Sequence, residues 1–384
     1  MSALLVLLAL LGAEPDAVAI SENIQRRHLP FGTILDPRFR APDSDEIEGY
    51  NRCGDSAIWT GHYLAAEAYR WRVTRSPAAL DNARRALAGL RLLVDVTGTG
   101  VLARCVVPAN SPFAEGLLSE EAHHGHTLNG GLYWVGNTSR DQYSGVFFGL
   151  AAAFEMIEDN AVRTEARDLA TRMLDFLLDH NWAVVMPDGQ PSTVFWGRAD
   201  QQLALLQIGR RLNPGRFGST YRWFAFFNAA GTIPPVSLEV LDKHHSYFKF
   251  NLDSINLFHL IRYEDSSFYR SFYNKAYEIL RNTTDGHGNA HFNMLDRGVR
   301  GANAARDEET VRLLAEWLTR PRRDPYVDLR AEFAACGEDD RACDVIPVPR
   351  RVTTGFLWER SPFQLYGGGE GRIEGAGIDY ILPY

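Results

Sequence analysis

The sequence predicts an all-α fold, a ring of helical hairpins with apolar helices inside and amphipathic helices outside. Three observations carry that prediction. The stretch Thr138 to Ile157 is apolar and small on every side behind a polar head. A helix apolar all round must be buried among other helices, and its small residues let those neighbours come close. Comparable runs begin at Gly54, Gly197 and Asn251, with shorter ones at Arg306 and Gly377. Each carries an Asp at its head: Asp55, Asp141, Asp200, Asp253, Asp307 and Asp379. Helices of amphipathic pattern separate them, so the chain repeats itself at the scale of a helical hairpin.

In chain order, Ala3 to Gly12 is a short apolar run, too short to span a bilayer. It reads as the hydrophobic part of a secretory signal peptide, with the mature chain beginning after Ala13. Ala17 to His28 forms a helix, and the Pro/Gly/Asp-rich stretch to Tyr50 is extended coil. The helix from Asp55 pairs with Ala78–Val94, introduced by Ser76-Pro77, a good helix start. The helix behind Asp141 pairs with Ala161–Asp179. The one behind Asp200 pairs with Phe217–Asn228, and the one behind Asp253 with Ser267–Asn282. The fifth hairpin joins Asp307–Leu318 to Tyr326–Ala335. The sixth begins at Asp379, with the N-terminal helix as its outer partner. No alternation of period two is long enough for a core strand. The run Gly367 to Gly375 is no dinucleotide fingerprint and reads as a mobile loop, with Glu370 and Glu374 as rim acids. The domain limits are 1–13 for the signal peptide, 14–50 for the helix and arm, and 51–384 for the ring.

The net charge of −8 is of the wrong sign for a nucleic-acid or anionic-membrane partner. Neither partner is expected, and no stable membrane insertion. Four cysteines without metal-type spacing fit an exported protein with up to two disulfides. Cys336 and Cys343 flank a short acidic loop; Cys53 and Cys105 pair by elimination.

About six hairpins of this kind resemble the (α/α)6 toroid of the six-hairpin glycosidase-like superfamily, which holds glycoside hydrolases, polysaccharide lyases and sugar epimerases. The local match is Ser139-Arg140-Asp141-Gln142-Tyr143 with Gly149-Leu150 behind it. It is similar to the pattern that opens an inner helix in unsaturated glucuronyl hydrolases. The resemblance implies a toroid and a carbohydrate substrate, uronic acids or comparable polar sugars included.

In a toroid whose hairpins run the same way, the Asp residues ring one mouth. Asp is also a favoured helix cap, which explains any one of them without function. Asp141 is least explained as a cap, because Thr138 and Ser139 already serve. Asp55 follows, with Trp59 and His62 one and two turns along its helix. Two carboxylates suffice to hydrolyse a glycosidic bond, so Asp141 and Asp55 are the candidate catalytic pair. The candidate substrate-binding residues beside them are Arg140, Gln142, Tyr143, Trp59, His62, Arg198, Asp200 and Asp253. A loop insertion before Thr138 adds His126, Trp134 and Asn137, among His123, His124, Asn129 and Tyr133. A third group holds His245, Tyr247 and Asn251. His and Tyr can instead abstract the C5 proton of a uronic acid, the chemistry of a lyase or C5-epimerase. A non-catalytic carbohydrate-binding toroid, its Asp residues only caps, is the alternative outside enzymes. His123 and His126, or His287 and His291, can be read as metal ligands, but Gly125 and Gly288 disfavour a helical register and no third ligand is fixed, so no metal and no cofactor is expected.

Overall fold

The structure is a computed structural model that describes residues 14–244, 247–333, 341–352 and 354–384. The predicted signal peptide lies outside them. Helix α1 (14–23) runs into a π-turn at Ile24–His28. Five helical hairpins follow: α2 (Ser56–Thr74) with α3 (Pro77–Asp95), α5 (Arg140–Met156) with α6 (Asn160–Asp179), and α7 (Ala199–Leu212) with α8 (Pro214–Asn228). Then come α10 (Tyr247–Arg262) with α11 (Ser267–Thr284), and α12 (Ala290–Arg300) with α13 (Ala304–Trp317). Short helices α4 (Ala114–Glu120), α9 (Ile233–Glu239) and α14 (Ile378–Ile381) complete the set.

Neighbour relations close the ring. α2 packs on α5, α5 on α7, α7 on α10 and α10 on α12, while α14 returns against α2. Each of α3, α6, α8, α11 and α13 backs its own inner partner. α1 supplies the sixth outer position: Ile20 and Trp317 both lie against Gly377, at the head of α14. The protein is therefore an (α/α)6 toroid. Side chains decide which helix is inner. Every residue of α5 from Gln142 to Ala153 is buried, whereas α6 buries one stripe and turns its charges outward.

α2 and α5 approach as closely as backbones allow. A Cβ on Gly61 would lie 2.1 Å from the Gly145 carbonyl oxygen, and one on Gly149 would lie 2.3 Å from that of Gly61. Those glycines are what place the heads of the two helices side by side. The Cys53–Cys105 disulfide, with Cα atoms 5.3 Å apart, ties the start of α2 to strand β3 (Cys105–Pro108). Cys343 is also disulfide-bonded, and the Cys336 end of the predicted bridge lies outside the described residues.

Three parts of the expected order change. The fifth inner helix is α12, and Asp307 belongs to the outer α13, where it pairs with Arg297. α13 buries only Thr310, Leu313, Leu314 and Trp317, one stripe of an amphipathic helix. The stretch predicted as its outer partner opens as a strand, β8 (Arg323–Asp328). The glycine-rich run is a strand as well, β9 (Tyr366–Glu374), not a mobile loop. β9 lies between β8 and β1 (Asp36–Phe39), which pairs with β2 (Ile47–Asn51), so part of the expected coil is sheet too. Glycine suits β9 because a Cβ at Gly368, where φ is +85°, would meet the Pro325 carbonyl oxygen at 2.0 Å. Strands β4 (His126–Asn129) and β5 (Leu132–Val135) form a second sheet with β3, order β3-β5-β4, beside the head of α5. Strands β6 (Ala183–Val185) and β7 (Pro191–Val194) make a hairpin before α7.

Candidate functional site: an acidic mouth at the heads of the inner helices

Asp55 stands at the N-terminal end of α2 but makes no side-chain capping bond, and its carboxylate is 39% exposed. It accepts a hydrogen bond from Gln142 Nε2 at 3.1 Å, while Gln142 Oε1 accepts the Ile58 amide at 2.9 Å. Gln142 is fully buried, so it acts as a rigid strut between α2 and the head of α5. Asp141 lies in the first turn of α5, behind a Ser139 that occupies the cap position. Burial raises the Asp141 carboxyl above its ordinary value, and the Asp55 carboxylate pushes the same way against Arg140 and Arg104. Burial raises Asp55 too; Arg52 opposes that, Glu359 adds to it, and Arg104 and Gln142 oppose it.

Arg104 fixes the frame. Its Nη1 donates to the Gly54 carbonyl at 2.8 Å and its Nε to the Asn137 carbonyl at 3.1 Å, the backbone just before each helix head. Nη1 also stands 3.9 Å from Asp55 Oδ1. Arg52, in the left-handed region at φ 68°, pairs with Asp36 and Glu359. Its guanidinium spans Trp59 at 5.6 Å and Phe356 at 5.2 Å.

The next two acids form a sealed cluster. Arg198 clamps Asp200 through two bonds of 2.8 and 3.1 Å, reaches Asp253 at 2.9 Å and Glu239 at 2.8 Å, and Lys249 also holds Glu239. Asp200 and Asp253 are fully buried. Burial and the Asp200 charge hold Asp253 well above the usual carboxylate range. This group is the mouth's wall.

The middle of the ring is filled. Trp59, His62, Phe148, Phe356, Trp358 and His291 pack ring on ring, with His62 stacked on Trp358 at 5.3 Å. His62 Nδ1 bonds the Ile58 carbonyl at 2.9 Å and Nε2 lies 3.2 Å from Asn251 Nδ2; those partners assign a neutral ring protonated at Nδ1. Burial lowers its pKa to about 4. Beyond this plug, at the other end of the inner helices, opens a cavity of about 470 Å³ lined by Ala66, Phe148, Met156, Phe258 and Met294.

The structure thus brings together Asp55, Asp141, Gln142, Arg140, Asn137, Arg198, Asp200 and Asp253 at one end of the toroid. Arg140 donates to the Val194 carbonyl from the rim, and Asn137 is exposed there. It does not bring the expected aromatic residues to open space. Trp59 is 1% exposed under Arg52 and Phe356. Tyr143 is buried with its hydroxyl accepting the Leu102 amide, because its position on α5 faces the outer layer. Trp134 is buried within β5. Tyr247 is buried against His287 and Asn289, and His62 and Asn251 are sealed in the plug. His126 is exposed on β4 against Tyr133, and His245 lies outside the described residues. Arg104, Arg52 and Glu359 went unread in the sequence. Arg104 and Glu359 lie far from the Asp55 run that they fold back onto, and Arg52, three residues before Asp55, has its partners Asp36 and Glu359 distant in sequence.

No family model matches the chain, and no curated protein matches it in sequence. Among solved structures it is similar to cellobiose 2-epimerase from Spirochaeta thermophila DSM 6192, at 11% identity and a TM-score of 0.45 over 97% of this chain and 98% of that one.

Proposed function

We propose that the acidic mouth is the active site of an exported glycoside hydrolase acting on oligo- or polysaccharides that carry uronic acids or comparable polar sugars. One observation carries the reading. Asp55 and Asp141 sit at adjacent helix heads, neither spent on capping, and burial raises both carboxyls. A general acid must keep its proton near the working pH, and a raised carboxyl does so. Of the two, Asp141 is assigned as the acid, and Asp55, whose carboxylate is 39% exposed and accepts from Gln142, as the base or nucleophile. Gln142 and Arg104 act as positioning residues. Arg140 at the rim offers a planar cation to a sugar carboxylate. The Cys53–Cys105 disulfide supports export, since disulfides persist in oxidising compartments.

The filled centre favours a second reading, a carbohydrate-binding toroid without chemistry. Incubation with a panel of uronic-acid polysaccharides separates the readings. New reducing ends without an unsaturated uronyl ultraviolet band support hydrolysis, and that band would assign a lyase. Binding of the same glycans with no product of either kind would leave the binding reading in its place.

A further inference from the structure

The turn that closes the insertion onto the mouth carries three metal-type donors. Glu121, His123 and His124 belong to one short stretch after α4, where a 3₁₀ turn at Ala122–His124 bends the chain. Their donor atoms all lie within 4.8 Å of one another. The two imidazole rings are 3.9 Å apart, and His124 Nε2 stands 3.6 Å from Glu121 Oε2. That separation is too long for a hydrogen bond. It matches the edge of a tetrahedral zinc site, whose ligand atoms stand roughly 3.4 Å apart when each is about 2.1 Å from the ion.

The carboxylate is set in place before any ion arrives. Glu121 is buried and its Oε1 accepts the Gly54 amide at 2.8 Å, which leaves Oε2 facing the histidines. Gly54 is required for that pose, because a Cβ there would lie 2.5 Å from Oε2.

We propose that Glu121, His123 and His124 bind one zinc ion, two imidazole nitrogens and one carboxylate oxygen with water in the fourth position. Two imidazoles beside a single carboxylate suit zinc better than calcium or magnesium, which prefer all-oxygen shells. The ion would clip the insertion to the backbone that precedes Asp55. This revises the expectation of no metal, and it stands independently of the hydrolase reading.

The test uses the full chain, stripped with chelator and titrated with zinc alone against a metal-indicator dye. The expected result is one zinc per chain, with affinity at least about 10-fold weaker in His123→Ala and in His124→Ala. His126→Ala should bind as wild type, since His126 lies on β4 outside the cluster. Zinc should raise the Tm of the wild type and leave that of His124→Ala unmoved. If circular dichroism shows an alanine variant misfolded, Glu121→Gln replaces it and should show the same loss. Wild-type chain taking up no zinc at micromolar concentration, or His126→Ala weakening binding as much as His124→Ala, would overturn the proposal.

Discussion

Asp141 and Asp307 both sit in the first turn of a helix, yet they meet different surroundings. Asp307 is paired with Arg297 on an outer helix, and Asp141 faces Asp55 across the mouth. Replacing Asp141 by Asn keeps shape and hydrogen bonding but removes the titrating group. General acid catalysis typically contributes on the order of 100- to 10,000-fold, so Asp141→Asn should lose at least about 100-fold in turnover. Its melting should stay within a few degrees of wild type, because the carboxylate supports no cap. Asp55→Asn should behave alike and Asp307→Asn should change little. Turnover on a substrate that the wild type cleaves, measured beside thermal melting, decides it. Full activity in Asp141→Asn would remove the acid from the assignment. The candidate acids were readable from the sequence because each opens an apolar run. Arg104 and Glu359 were not, since the contacts that bring them there span about 50 and about 300 residues.

At the scale of the element, buried helices announced themselves wherever they were purely apolar. α12 did not, because it buries His291, Asn293 and Asp296 beside Phe292 and Leu295. Asn293 finds its partners in Arg281 and Glu309 of neighbouring helices, and Asp296 pairs with Arg306 of α13 as well as with Arg300 of its own helix. The Asp307 stretch, an apolar run with an Asp at its head, carries the expected pattern of an inner helix in its place. β9 was hidden in the same way, as a glycine-rich strand whose fitness lies in its neighbours. The glycines of α2 and α5 were legible, and their role is testable. Gly61→Ala drives a methyl group to 2.1 Å from a backbone oxygen, with no flexible side chain to give way. Overpacking of this kind costs about 3 kcal/mol, so Gly61→Ala should unfold at clearly lower urea with an unchanged slope. Gly116→Ala, where nothing lies within 4 Å, should be neutral or slightly stabilised. Equal stability of the two variants would mean that α2 and α5 are not in backbone contact.

For the whole molecule, the plug between the acidic mouth and the apolar cavity makes the toroid sensitive to acid. His62, His259 and His291 are buried, and burial lowers the pKa of each, that of His62 to about 4. The ring of His62 faces Trp59, Phe148, Trp358, Asn251 and His291, so the one titratable neighbour is another histidine that resists protonation. The unfolded chain takes up protons on these rings near pH 6.5, and the folded chain does not. Their contribution is therefore complete above pH 6.5 and declines as pH falls from 6.5 towards 4. For His62 alone the loss by pH 5 is about 2 kcal/mol, and His259 and His291 add to it in the same direction. Glu374, lowered to about 2, extends the decline below pH 4.5. His28 works the other way: its pKa is raised because Asp36 and Glu374 outweigh burial, so its contribution is complete below pH 6.5 and fades as pH rises through the raised value. His287, lowered to about 4 by burial, adds to the loss in acid, while Asp55, Asp141 and Asp253, whose carboxyls are raised, act in the same direction as His28; the buried histidines should prevail. Urea unfolding at pH 7.5, 6 and 5 should show the midpoint falling steadily with acidity, and His62→Gln should remove part of that slope. A midpoint unchanged between pH 7.5 and 5 would mean that the histidines reach water, and that the centre of the toroid is open.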